Sequence, residues 1–142
     1  MRRMSAITDY FAAPSDAAAA TALDDGPIDP VQAKRVDPIV SLSRLESVLT
    51  GKAYDEITAG PRRGSLVAVN DDGDAYVLTV ADELRDALAG LDAEGVMAAA
   101  RAWAIDETIE PSEDSVPFLT ELAELATGAL HRGDRIYCHM VI

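Results

Sequence analysis

The sequence predicts one α+β domain over residues 1–142, with five or six helices packed on a small sheet of about three strands. Three observations carry that prediction. The closing segment Arg135-Ile136-Tyr137-Cys138-His139-Met140-Val141-Ile142 alternates Ile136, Cys138, Met140 and Ile142 against Tyr137, His139 and Val141. A strand apolar on both faces belongs inside a sheet covered at least partly on each side. Leu66–Val69 and Ala75–Leu78 flank Asn70-Asp71-Asp72-Gly73-Asp74, a β-hairpin signal with Gly73 free to turn left-handed. Between and before these strands, capping residues repeatedly precede apolar positions at helical spacing.

In chain order, Met1–Met4 reads as an unstructured extension, with Met4 as an alternative start. Pro14-Ser15-Asp16 opens a helix through the alanines to Leu23, stopped by Gly26-Pro27. Asp29-Pro30 predicts a short helical turn from Val31 to Arg35. Asp37-Pro38 predicts a firmer helix to Thr50, with Ile39, Leu42, Leu45, Val48 and Leu49 on one stripe and Gly51 as its end. Residues 52–64 read as irregular. Thr79 is the expected cap of a helix whose apolar face is Val80, Leu84, Ala87, Leu88 and Leu91. Asp92 caps another, carrying Val96, Met97, Ala100 and Trp103. An acidic loop, Asp106 to Asp114, leads to the longest helix. That helix starts at Ser115 with a buried stripe of Phe118, Leu119, Leu122, Leu125, Ala126 and Leu130, and Gly133 ends it.

Composition excludes several classes. Twenty-five acidic against 12 basic residues give a net charge of −13, a field that opposes nucleic-acid backbones and anionic lipid. No apolar run approaches the ~20 residues of a membrane span and no secretory leader is recognisable, so a cytoplasmic location is expected. A single cysteine excludes an internal disulfide and a multi-cysteine metal site.

No motif points to catalysis. Cys138 and His139 are neighbours on a strand, so they face opposite ways and cannot act as nucleophile and base for each other. No metal-ligand spacing occurs. The Asn70–Asp74 segment lacks the acidic first and twelfth ligands of a calcium loop, which would fall on Ala68 and Thr79. Glycines stand singly at element ends, without a phosphate-cradling cluster. Catalytic, cofactor and metal residues are therefore expected to be absent. Arg62-Arg63, between Gly60 and Gly64, is a basic island in an acidic chain and a candidate partner contact. Trp103 joins it if exposed beside Met97.

Met4-Ser5-Ala6-Ile7 before a capped helix resembles the opening of the YfbM-like family of uncharacterised bacterial proteins. Val36-Asp37-Pro38 leading to Leu49-Thr50-Gly51, the Tyr76-Val77-Leu78-Thr79 junction, the Phe118-Leu119 helix, Arg132-Gly133 and the apolar last strand extend the similarity. The resemblance implies an α+β fold and brings no activity or catalytic residues. The chain departs from it in the second helix, where Ser41, Ser43 and Arg44 replace aromatic and histidine residues.

Two functions follow from these features. The first is a non-catalytic protein-binding module, inhibitor- or immunity-like, whose acidic surface meets a basic protein partner. The alternative is a small-ligand binder or enzyme with a pocket beside Tyr137, Cys138 and His139. Oligomeric state is open.

Overall fold

The computed structural model describes residues 7–34, 36, 38–106 and 115–141. The proposed extension at Met1–Met4, the acidic residues 107–114, the Asp37 cap and Ile142 lie outside the described residues. In chain order the elements are β1 (Ile7–Ala13), α1 (Asp16–Ala20), α2 (Ala22–Asp25), β2 (Val31–Lys34), α3 (Val40–Thr50) and α4 (Tyr54–Thr58). They continue with β3 (Leu66–Val69), β4 (Ala75–Thr79), α5 (Asp82–Ala89), α6 (Ala93–Asp106), α7 (Ser115–Arg132) and β5 (Arg135–Val141). The strands form one antiparallel sheet in the order β2-β1-β5-β4-β3.

The last strand is the centre of that sheet. β5 pairs with β1 from Ile7↔Val141 to Ala13↔Arg135 and with β4 from Ala75↔Val141 to Thr79↔Tyr137. Its two faces enter two separate cores, as alternating apolar residues require. Ile136 and Cys138 join Tyr10, Leu78, Leu84, Leu119 and Leu122 in the larger core, roofed by α3, α5, α6 and α7. Tyr137 joins Phe11, Val77, Ala19 and Ala22 on the other face, where α1 and α2 lie. The small side chains of α1 and α2 let this short cover sit close to the aromatic rings; Phe11 and Tyr137 are tilted at 5.9 Å between centroids.

Five strands replace the three expected. Residues 7–13 are a strand, with Thr8, Tyr10 and Ala12 toward the larger core and Phe11 and Ala13 toward the smaller. Val31–Lys34 is a strand rather than the predicted helical turn. Its Val31 and Ala33 alternate inward and pair with β1, and the sheet edge outweighs the local start signal of Asp29-Pro30.

Other boundaries shift for local reasons. The first helix breaks at Thr21, whose Oγ1 donates to Ala18 O at 2.7 Å, so α1 and α2 form one interrupted helix. Ser15 caps it as expected, accepting from Ala18 N at 3.1 Å. α4 lies within the segment read as irregular. Thr79 ends β4 instead of capping α5: its Oγ1 accepts from Ser65 N at 3.0 Å, and α5 starts after Ala81. Asp92 does cap α6, accepting from Gly95 N at 2.7 Å. Met97, Leu130 and Ile39 are exposed rather than on buried stripes; along α7 the inward position is taken by Ala129.

Candidate functional site

The arginine island becomes a structural junction once folded. Gly60-Pro61-Arg62-Arg63-Gly64 connects α4 to β3, with Arg62 at φ 65° and Gly64 at φ 71°. These left-handed residues turn the chain so that two successive guanidinium groups leave it toward opposite sides of the sheet.

Arg63 enters the helix side. Its Nη2 donates to Glu46 Oε2 at 2.7 Å on α3 and to Glu83 Oε2 at 2.8 Å on α5. Its Nη1 donates to Pro61 O at 2.8 Å. The Glu46 side chain is only 1% exposed and that of Arg63 8%, so this ion pair is effectively internal. Burial opposes the charge on Arg63, but the bonds to Glu46 and Glu83 outweigh it and raise its pKa above the usual arginine value. The same bond holds the Glu83 carboxyl below its ordinary range. Gly60 makes room for the group, since a Cβ there would fall 2.5 Å from Arg63 Nη1.

Arg62 turns to the other face. Its Nη2 donates to Asp16 Oδ1 at 3.2 Å and to the Tyr137 hydroxyl at 3.4 Å, with the guanidinium 5.7 Å from the centre of the Tyr137 ring. Tyr137 donates its hydroxyl to Asp16 Oδ1 at 2.5 Å. The bond from Tyr137, and then that from Arg62, lowers the pKa of Asp16. Burial, followed by the bond to Asp16, pushes the Tyr137 phenol up to about 12. The helix-capping turn at Ser15-Asp16 is thus fastened to the middle of the sheet.

These partners account for the arginines' orientation: each guanidinium keeps its charge, which carboxylates of the same chain compensate. Glu46 was not singled out in the sequence, and Asp16 was read there only as part of a helix start. Glu46 did carry a signal: it stands four residues after Leu42, on the apolar stripe, where a carboxylate requires a cation.

The remaining candidates separate. Trp103 is 6% exposed, donates its indole N–H to Ser41 O at 3.1 Å and stacks on Phe118, so the exposure its partner role required is not present. Tyr137 and Cys138 are fully buried, and His139 is half-buried on the opposite face from Cys138, across from Asp9 in β1. The thiol and imidazole therefore do not meet. A shallow dip lies instead beside the Arg63 pair, lined by Pro38, Leu42, Ser43, Glu46, Val80 and Leu84 among others. Its walls leave no room for a water-sized sphere, although Ser43 Oγ and Arg63 Nε on it lack hydrogen-bond partners. Among the described residues, no group of three or more histidine, cysteine, aspartate or glutamate side chains gathers as metal ligands, and no helix is long and apolar enough to cross a membrane.

No family model, curated protein or solved structure matches this chain.

Proposed function

We propose that this chain is a non-catalytic module that binds a basic protein partner. The supporting observation is the disposition of its charges. Arg62, Arg63, Arg85, Arg132 and Arg135 are each held by a carboxylate of the same chain. The chain nevertheless carries 13 more acidic than basic groups, so the surface is left with surplus carboxylate such as Asp71, Asp72, Glu94 and Glu121. Such a field speeds encounter with a cationic surface and rejects anionic ones. Inhibition of a protein whose active surface is basic is the specific form of this function.

Calorimetric titration tests it with two ten-residue peptides, one alternating valine with lysine and one alternating valine with glutamate. The lysine peptide binds at physiological ionic strength and the glutamate peptide does not. Loss of all binding at that ionic strength, where the Debye length is about 8 Å, contradicts the proposal.

A further inference from the structure

We infer that the β3 edge of the sheet is the docking site, and that it takes an extended partner segment of alternating apolar and basic residues by strand addition. This rests on the proposed protein-binding function and locates it.

Among the described residues β3 is an outer strand, paired with β4 alone. A register shift between Leu66 and Ala68 sets Leu66 opposite Leu78 and Val69 opposite Tyr76. The bulge therefore places Leu66 and Val69 on the same face, although they are three residues apart. Val67 and Ala68 pack into the smaller core, while Leu66 is 60% and Val69 44% exposed. Ile39, 45% exposed, sits over Gly64 two residues earlier and continues the apolar line.

The backbone of this edge is available too. Thr79 N donates to Ser65 O at 2.9 Å and Asn70 N to Ala75 O at 3.1 Å. Alternation in an antiparallel ladder then turns the N–H and C=O of Leu66 and Val69 away from β4. Outer strands are ordinarily guarded by charge or proline. Leu66-Val67-Ala68-Val69 carries neither guard.

Charge selects the occupant. The strand runs into the exposed tip Asp71-Asp72-Gly73-Asp74, and the whole chain is at −13. A second copy would bring another chain of net charge −13 against this edge, which like-charge repulsion opposes. A segment with lysine or arginine between its apolar residues matches both the apolar line and the tip.

The test follows the valine–lysine peptide by amide NMR on the 142-residue chain. Its binding slows hydrogen exchange at the Leu66 and Val69 amides and shifts the Asp71–Asp74 signals. Val69→Pro removes an outward donor while sparing the β3–β4 ladder, and weakens the peptide about tenfold. Leu66→Lys/Val69→Lys, at exposed side chains, does the same and serves if the proline variant is unfolded. Asp71→Asn/Asp72→Asn weakens it about threefold. Peptide binding with no protection at Leu66 and Val69, or binding unaffected by both edge variants, overturns the edge assignment and leaves the basic-partner function standing. No binding of the lysine peptide overturns both. Sedimentation showing a dimer that Val69→Pro or the double lysine variant dissociates identifies a second copy as the occupant and overturns the basic segment.

Discussion

Arg63→Ala should be among the most damaging single substitutions in a loop of this protein. It leaves the carboxylate of Glu46, 1% exposed, with neither its charged hydrogen bond from Arg63 nor the water that would replace it. Removing one partner of a buried ion pair costs about 3–5 kcal/mol, a large fraction of the ~5–15 kcal/mol that holds a domain together. Unfolding entropy for 142 residues is about 0.3 kcal/mol/K, so the loss lowers Tm by roughly 10–17 °C. Part of that loss is the cost of stranding Glu46, not the net worth of the pair. The double variant Arg63→Met/Glu46→Leu therefore regains most of the loss, ending within about 2 kcal/mol of wild type. Urea titration monitored by circular dichroism measures both. A single variant that loses less than ~1 kcal/mol refutes the reasoning, as does a double variant no better than Arg63→Ala.

The second clasp gives a pH signature. Because the Tyr137 pKa is raised to about 12, the folded chain holds that proton more tightly, and stability falls as pH rises from 10 toward 12; denaturant midpoints measured across that range show the fall, and Tyr137→Phe reduces it. At the acid end the signs reverse: Asp16 and Glu83 are depressed, so their contribution is present above the ordinary carboxylate pKa and disappears as pH falls through their folded values. Gly64→Ala costs more than Gly73→Ala by urea denaturation. Both have positive φ, worth about 1–2 kcal/mol, but a Cβ at Gly64 falls 2.2 Å from Ile39 Cγ1 and at Gly73 meets nothing within 4 Å. Deleting residues 139–142 strips the end of β5 from both neighbours and removes half-buried Met140, lowering stability by at least ~2 kcal/mol; an unchanged Tm contradicts the placement of β5.

The parts of this fold that local pattern governs were legible in the sequence. The two-faced alternation of Ile136 to Val141 located a central strand, and Gly73 in a polar tip located the hairpin, because side-chain period and turn conformation are short-range properties. Ile7–Ala13 and Val31–Lys34 were not assigned from the sequence. In the first, Ile7, Thr8, Tyr10 and Phe11 favour a strand but the segment is short and runs into a capped helix; in the second, the Asp29-Pro30 pair favours helix locally, and pairing with β1 makes it a strand. The candidate site divides in the same way. Arg62-Arg63 stood out as a basic pair in an acidic chain, but its partners are set by tertiary approach: Asp16 lies 121 residues from Tyr137 and reads locally as an ordinary first-turn acid. The exposed line of Leu66 and Val69 depends on a single bulge, and strict alternation would have put them on opposite faces.

The polar groups of the C-terminal strand and the arginine loop are structural members of the fold. Cys138, the one cysteine, tests it directly, since it is fully buried on the central strand between Tyr10 and Leu78. Its reaction with a thiol reagent in the native protein should proceed only through unfolding, slowing and accelerating with urea in step with global stability. Labelling within seconds in the absence of denaturant would place the thiol at an open site and contradict the account.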